Sequence, residues 1–230
     1  MSNKIIELEP KKRYHIFNRA NGNESCFLSD DNYRYFLRKY KTHIYPIADT
    51  YTYCLMPNHF HFVVKIKKTE DIETYIKKNP KTFPKFQAME NQDSETTLTE
   101  FRTSKNLQGF KNLEGLVSQQ FSNFFNAYTK AFNNQQNRKG SLFMHTFKRN
   151  PIITDQYFCK AIHYTHYNPV EAGLCKTPDE WKFSSYNAII SNKDSLIKKE
   201  EVLDSFGGLE NFIHCHTEPP NLTGIDLKFT

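Results

Sequence analysis

No long apolar run occurs in this chain of 230 residues. The stretch Phe60 to Val64 is bounded by His59 and Lys65, far short of the roughly 20 residues that span a bilayer, so we expect no membrane partner. The five cysteines include no Cys-x-x-Cys pair, which argues against a zinc ribbon and a disulfide scaffold. The first residues contain no apolar signal-peptide core, and we therefore expect a cytoplasmic protein.

The net charge and the aromatic content say less about which class of function this protein has. Lysine and arginine number 31 against 25 aspartate and glutamate residues, for a formal net charge of +6. This mild excess permits a polyanionic partner such as nucleic acid but is equally typical of an ordinary basic protein. Aromatic residues make up 15% of the chain, and they serve either core packing or stacking on a ligand.

Apolar spacing divides the chain into strands and helices. Turn and capping residues, such as Asn21-Gly22 and Ser29, mark where these segments begin and end. The pattern predicts, in chain order, a strand over 13–19, a helix from 29 to about 43, a hairpin of strands over 47–56 and 59–67, a long helix over 113–132, a strand over 142–153 and a helix from 154 that ends at Asn168-Pro169.

Residues 79–112 contain Pro80, Pro84, the polar run 92–97 and few branched apolar residues, so we predict a mobile insertion there. The remaining order of strands and helices is that of a split βαβ unit, an antiparallel four-stranded sheet with two helices on one face. We therefore predict an α+β fold of the ferredoxin-like, RRM-like class. An extra helix from Thr154 and a C-terminal helical extension are added to it.

His59-Phe60-His61 begins the second strand of the predicted hairpin. Because successive side chains alternate between faces, the two imidazoles share one face, about 7 Å apart along the strand, while Phe60 points into the core. Their ring nitrogens can converge on one divalent ion. Two surface histidines on a hairpin give the same pattern, so the spacing leaves both interpretations open.

The helix from Thr154 offers two further groups, Tyr164 and Asn168, which are four residues apart and share a helix face. A tyrosine hydroxyl is a potential nucleophile, and an asparagine carbonyl is a hard metal ligand. A His-His-Asn set with open positions suits octahedral Mg²⁺ or Mn²⁺ better than a closed zinc site. Considered separately, Tyr164 is compatible with a packing role, and Asn168 with helix termination before Pro169.

Other histidines compete for the metal-binding role. His163 and His166 flank Tyr164 without sharing its face, so we interpret them as packing or surface groups. His214-Cys215-His216 is a second His-x-His pattern, close to a Pro-Pro pair. We predict that the chain from about residue 214 is a solvated, flexible tail.

Basic and aromatic residues in the predicted strands are candidates for contact with a nucleic acid, although solvated charge and core packing explain them as well. The basic DNA-binding candidates are Arg13, Arg19, Lys148 and Arg149. The aromatic residues of the same sheet are Tyr14, Phe17, Tyr51 and Tyr53.

Several segments together resemble the single-tyrosine HUH transposases, and within them the REP-associated tyrosine transposases (IS200-like transposases) of bacteria. The resemblance covers about residues 11–213, and its segments occur in the order of the family. The matching segments are 14–19 (YHIFNR), 56–64 (MPNHFHFVV), 140–143 (GSLF), 164–174 (YTHYNPVEAGL), 181–186 (WKFSSY) and 201–207 (EVLDSFG).

The resemblance implies a single-stranded DNA transposase or endonuclease. In such an enzyme Tyr164 would be the nucleophile that forms a 5′-phosphotyrosine intermediate, next to a DNA hairpin. His59, His61 and Asn168 would hold Mg²⁺ or Mn²⁺. The family has an Arg-Tyr-Lys run near the fourth strand, whereas this chain has Thr146-Phe147-Lys148, so only the lysine carries over.

The resemblance also implies a catalytic domain over 1–175 and a C-terminal extension over 176–230 that packs on it. The oligomeric state is left open between homodimer and monomer. A non-catalytic or domesticated single-stranded nucleic-acid-binding protein on the same fold is an alternative, as is a relaxase or replication initiator. A histidine-triad phosphohydrolase would need a third alternating histidine, and that position is Val63.

Overall fold

The structure is a computed structural model, and it describes residues 6–79 and 113–223. These residues form a mixed arrangement of helices and strands. The strands are β1 (Arg13–Arg19), β2 (Ala48–Met56), β3 (His59–Ile66) and β4 (Lys148–Ile152). The helices are α1 (Asp30–His43), α2 (Thr69–Lys78), α3 (Leu113–Gln135), α4 (Asp155–Glu171), α5 (Tyr186–Ile190), α6 (Lys199–Ser205) and α7 (Leu209–Cys215). No helix among the described residues is both long and apolar enough to cross a bilayer.

The four strands form one sheet in the order β2-β3-β1-β4, and each pair of neighbours is antiparallel. The predicted combination of an α+β chain with a four-stranded antiparallel sheet is therefore confirmed. The register between β1 and β3 places Phe17 opposite His61 and Arg19 opposite His59. Because cross-strand partners share a face, β1 contributes side chains to the face that carries both histidines.

Helices cover both faces of the sheet. On one face α1 and α3 pack on β1 and β3 through an aromatic core that includes Phe36, Phe60, Phe62 and Phe124, all fully buried. Burying each such side chain stabilises the fold by roughly 1.5–3 kcal/mol. The other face carries Val63, and α4 packs there with α5 and α7. Helix α4 therefore lies on the same face as His59 and His61.

The C-terminal segment covers the edge of the sheet at β2. Backbone N–H groups of Leu55 and Lys198 donate to the carbonyls of Phe183 and Thr50, respectively, and Ser185 donates to Tyr53. These bonds occupy backbone groups that an exposed edge strand would otherwise present to other chains. The segment after residue 176 is thus hydrogen-bonded to the sheet that carries the site.

Three predicted boundaries are wrong, and one of them is the end of α3, which continues to Gln135 instead of ending at residue 132. The strand predicted over 142–153 is only five residues long, because Thr146 has a φ of +79° and this left-handed residue interrupts the extended backbone before Lys148. Helix α4 does not end at Asn168-Pro169 but continues to Glu171. A proline so near the end removes only one helical hydrogen bond, which the final turn tolerates.

Helix α2 is a short element that the sequence analysis did not identify. Ile72 and Ile76 are buried one helical turn apart, and Glu70 and Asp71 lie in the first turn, so the signal was present in the sequence. The predicted insertion falls outside the described residues, except for Asn79.

Candidate metal and nucleophile site

The crossing of α4 over the sheet brings together the four predicted site residues. The Nε2 atom of His59 lies 3.2 Å from Oδ1 of Asn168, and the Nε2 atom of His61 lies 3.5 Å from Nδ2 of the same amide. The ring of Tyr164 contacts His61 edge-on, with 5.3 Å between ring centroids. These side chains come from parts of the sequence more than a hundred residues apart.

Helix α4 is fixed at both ends, which holds Tyr164 and Asn168 in place. At its start, the Thr154 hydroxyl accepts a hydrogen bond from the N–H of Tyr157, an N-cap. At its end, Gly173 adopts φ +69° and donates to Val170, while Leu174 donates to Pro169. This is a Schellman motif, and only glycine adopts its left-handed position at little cost.

His59 presents a lone pair to Asn168. Its Nδ1 lies 2.7 Å from Oδ1 of Asn58, and because that oxygen only accepts, Nδ1 carries the proton. Burial lowers the pKa of His59, which favours the neutral ring, so its Nε2 is unprotonated. Two acceptors, Nε2 and Oδ1 of Asn168, then face each other at 3.2 Å.

A divalent cation fits this donor set. Two neighbouring ligands of an octahedral ion with arms of about 2.1 Å lie about 3.0 Å apart, close to the separation of the two facing acceptors of His59 and Asn168. A cation between them would turn their repulsion into attraction. No cluster of three or more His, Cys, Asp or Glu side chains with metal-binding geometry occurs in the described parts of the chain, so the third protein ligand here would be an amide.

His61 is fully buried, and its second ring nitrogen contacts another histidine. Its Nδ1 lies 2.9 Å from Nε2 of His15, a β1 residue that is also fully buried. Burial holds the pKa of His61 well below its ordinary value, and it lowers the pKa of His15 to about 3. Both rings are therefore neutral at physiological pH, which is the form in which imidazole binds metals.

Tyr164 is only 9% exposed, and its ring packs edge-on against the rings of His61 and His15. Burial raises the pKa of its phenol above the ordinary value, while a hydrogen bond with Asn168 acts in the opposite direction. An ordinary phenol near pKa 10 is ionised in about one molecule in a thousand at pH 7. The hydroxyl is therefore protonated at rest.

The four basic candidates have different environments. Lys148 and Arg19 are exposed, whereas Arg13 pairs with Asp155 at 2.7 Å. Arg149 is 8% exposed on the opposite face of the sheet, where its guanidinium donates to Ser118 and lies over the Phe147 ring. Since α3 covers that position, Arg149 packs between the sheet and this helix, and its contact with DNA stays a prediction.

Two of the competing histidines, His166 and His216, form a separate buried chain. The two ring nitrogens of His166 contact Nε2 of His216 at 3.1 Å and the hydroxyls of Thr52 and Ser185. His166 is thus a packing group, as predicted. The prediction of a solvated tail from residue 214 is wrong for His216, which is 1% exposed because it caps the end of α7 and packs on Phe212.

Sequence reasoning missed two residues that contact the site, His15 and Asn58. Alternation along β1 places His15 on the same face as Phe17, and the register pairs Phe17 with His61. The signal for His15 was therefore a polar, bulky residue at an inward position of a strand. Asn58 was assigned only to the hairpin turn, where its side chain also reaches the first residue of β3.

Comparisons with known proteins add one finding about the fold. A REP-associated tyrosine transposase bound to a REP hairpin has a similar solved structure. The TM-score is 0.52 at 13% sequence identity, over 84% of this chain and 87% of the other. At that identity the likeness shows a shared fold. The sequence matches no family model and no curated protein.

Proposed function

We propose that this protein is a single-stranded DNA transposase that cuts and rejoins strands through Tyr164. The observation that supports the proposal best is the convergence of Tyr164 with His59, His61 and Asn168 on one face of the sheet. The similar fold of a transposase bound to a DNA hairpin is a second, independent support. The strand order β2-β3-β1-β4 further supports a ferredoxin-like type of sheet.

Each residue has a defined role in the proposed reaction. The Tyr164 oxygen attacks the phosphorus of a scissile phosphodiester in line, and its proton passes to solvent. The bond from phosphorus to the 3′ oxygen breaks, a 3′-hydroxyl leaves with a proton, and a 5′-phosphotyrosine remains. Since one phosphodiester replaces another, a 3′-hydroxyl can reverse the step and join strands without ATP.

His59, His61 and Asn168 would hold Mg²⁺ or Mn²⁺ beside the nucleophile. Such an ion would supply positive charge that offsets the negative charge on the phosphate and makes the phosphorus easier to attack. Asn168 is also one of the causes that lower the pKa of the Tyr164 phenol, so we propose that this amide acts on both the cation and the nucleophile. The helix spacing of four residues makes this double role possible.

The DNA partner we propose is a single strand next to a hairpin. The net charge of +6 suits a polyanion, and the exposed Arg19 and Lys148 lie on strands of the sheet that carries the site. Arg19 is opposite His59 in the register, so a backbone that reaches the site passes this side chain. Phosphate contacts of this kind position a strand without reading its sequence.

The proposal is tested by covalent capture. A single strand that carries a hairpin and a label on the 3′ side of the cleavage site is incubated with the full chain and Mn²⁺, and adducts are separated under denaturing conditions. We expect an adduct with the wild type and with Tyr167→Phe, three residues along the same helix, and none with Tyr164→Phe or His59→Ala. Hairpin binding without any adduct would contradict the proposal and favour the non-catalytic binding protein.

A further inference from the structure

His15 lies directly behind His61 and has no role in the mechanism described so far. Its Nε2 lies 2.9 Å from Nδ1 of His61, and the two rings are inclined by only 11°. Phe17 packs against both rings, with centroids at 4.7 Å from His15 and 5.6 Å from His61. The contact is therefore an in-plane hydrogen bond between two rings that have no room to turn.

A count of protons shows what this contact controls. Each neutral imidazole carries one N–H, so one of the two facing nitrogens donates and the other accepts. If His61 donates through Nδ1, its Nε2 keeps a lone pair directed at Asn168. If His15 donates instead, the proton of His61 must reside on Nε2, and that nitrogen is unable to bind a cation.

The other ring nitrogen of His15, Nδ1, makes it costly for His15 to accept the proton of His61. Its Nδ1 is buried and has no hydrogen-bond partner among the described residues. When His15 accepts from His61, its own proton resides on this unpartnered nitrogen, which is unfavourable in a buried position. Neither tautomer of the pair is therefore strongly preferred on its own. A cation on Nε2 of His61 favours the tautomer in which Nδ1 of His61 donates to His15.

We propose that His15 is a positioning residue that accepts the Nδ1 proton of His61 and so holds Nε2 of His61 ready to bind the cation. Asn58 has the same role toward His59, because its Oδ1 accepts the proton of Nδ1 of His59 at 2.7 Å. Partners of this kind typically contribute 10–100-fold to metal affinity. The inference rests on the proposed function, because it assumes the cation at this site.

Two substitutions separate hydrogen bonding from packing. His15→Phe keeps a ring against Phe17 but removes the acceptor, whereas the side-chain oxygen of His15→Gln reaches the position of the lost Nε2. Mn²⁺ affinity is measured from the loss of the free-ion electron paramagnetic resonance signal on titration, and thermal unfolding verifies that each variant is folded. We expect Mn²⁺ affinity about 10–100-fold weaker for His15→Phe and within a few-fold of the wild type for His15→Gln.

The tautomer itself is measured in the wild type by long-range ¹H–¹⁵N correlation of the imidazoles in the presence of Mg²⁺, so the test does not depend on the variants. We expect the His61 proton on Nδ1. A proton on Nε2 of His61 in the Mg²⁺-bound protein would overturn the inference, as would a folded His15→Phe with wild-type affinity. If the wild type binds no Mn²⁺, the proposed cation site itself is refuted. If the wild type and His15→Phe bind Mn²⁺ equally well, only the role of His15 is refuted.

Discussion

The buried chain of His166 and His216 makes the stability of the protein dependent on pH. The Nδ1 of His216 donates to the Phe212 carbonyl at 2.7 Å, since a carbonyl only accepts. Its Nε2 must then accept from Nδ1 of His166, and Nε2 of His166 accepts from the Thr52 or Ser185 hydroxyl. Every ring nitrogen in the chain is used, and a further proton would place two N–H groups against each other.

The size of this pH effect on the free energy of unfolding follows from the pKa of His216. Burial lowers it to about 3 in the folded protein, against about 6.5 in the unfolded chain. The unfolded state therefore gains a proton first as the pH falls, so stability is fully present above pH 6.5 and is lost progressively toward pH 3. Between pH 7 and pH 5 this one histidine lowers the free energy of unfolding by about 2 kcal/mol, at about 1.4 kcal/mol per pH unit.

The assay is urea denaturation at pH 5, 6 and 7 for the wild type and His216→Gln. The glutamine oxygen is able to accept from His166 but does not titrate, so we expect its stability curve to fall less steeply, by about 1.4 kcal/mol per pH unit below pH 6.5. His214→Gln makes the same change at an exposed position of α7 and serves as the control. Parallel curves for the wild type and His216→Gln would refute the reasoning.

Two further predictions concern the nucleophile and the basic residues. The single-turnover rate of adduct formation should rise up to tenfold per pH unit between about pH 6.5 and 8.5. The reason is that burial raises the pKa of Tyr164 and only the ionised phenol attacks. A rate that does not change with pH would contradict a phenol that is protonated at rest. Arg149→Met should alter thermal stability yet leave the salt dependence of hairpin binding unchanged, whereas Lys148→Ala should reduce the slope by about one phosphate contact, as measured by fluorescence anisotropy at several salt concentrations. Equal effects of the two substitutions on the slope would place Arg149 at the DNA after all.

The elements that the sequence predicts well are those with a strong local signal. Strand β1 begins and ends at the predicted residues, since the stretch between Arg13 and Arg19 is rich in aromatic and branched residues and Asn21-Gly22 follows it. The hairpin of β2 and β3 is likewise local, because Pro57-Asn58 fixes the turn and alternation fixes the faces. The common face of His59 and His61 depends on nothing beyond this alternation.

Other features depend on contacts between distant parts of the chain, and periodicity contains no information about these. That α4 crosses the histidine face, rather than the face covered by α1, is decided by its packing on Val63 and by the C-terminal helices. The burial of Arg149 depends on where Ser118 of α3 lies. His216 was assigned to a tail because nothing nearby in the sequence indicates that it packs against His166.

The central claim is that Tyr164 forms the covalent bond to DNA, and peptide mapping tests it most directly. The full chain is trapped on a nicked hairpin substrate whose cleaved fragment diffuses away, the adduct is digested, and the nucleotide-bearing peptide is sequenced by mass spectrometry. We expect a 5′-linked phosphate on Tyr164 and a free 3′-hydroxyl on the released fragment. A linkage at another residue, or a 3′-phosphate on the protein side, would contradict it.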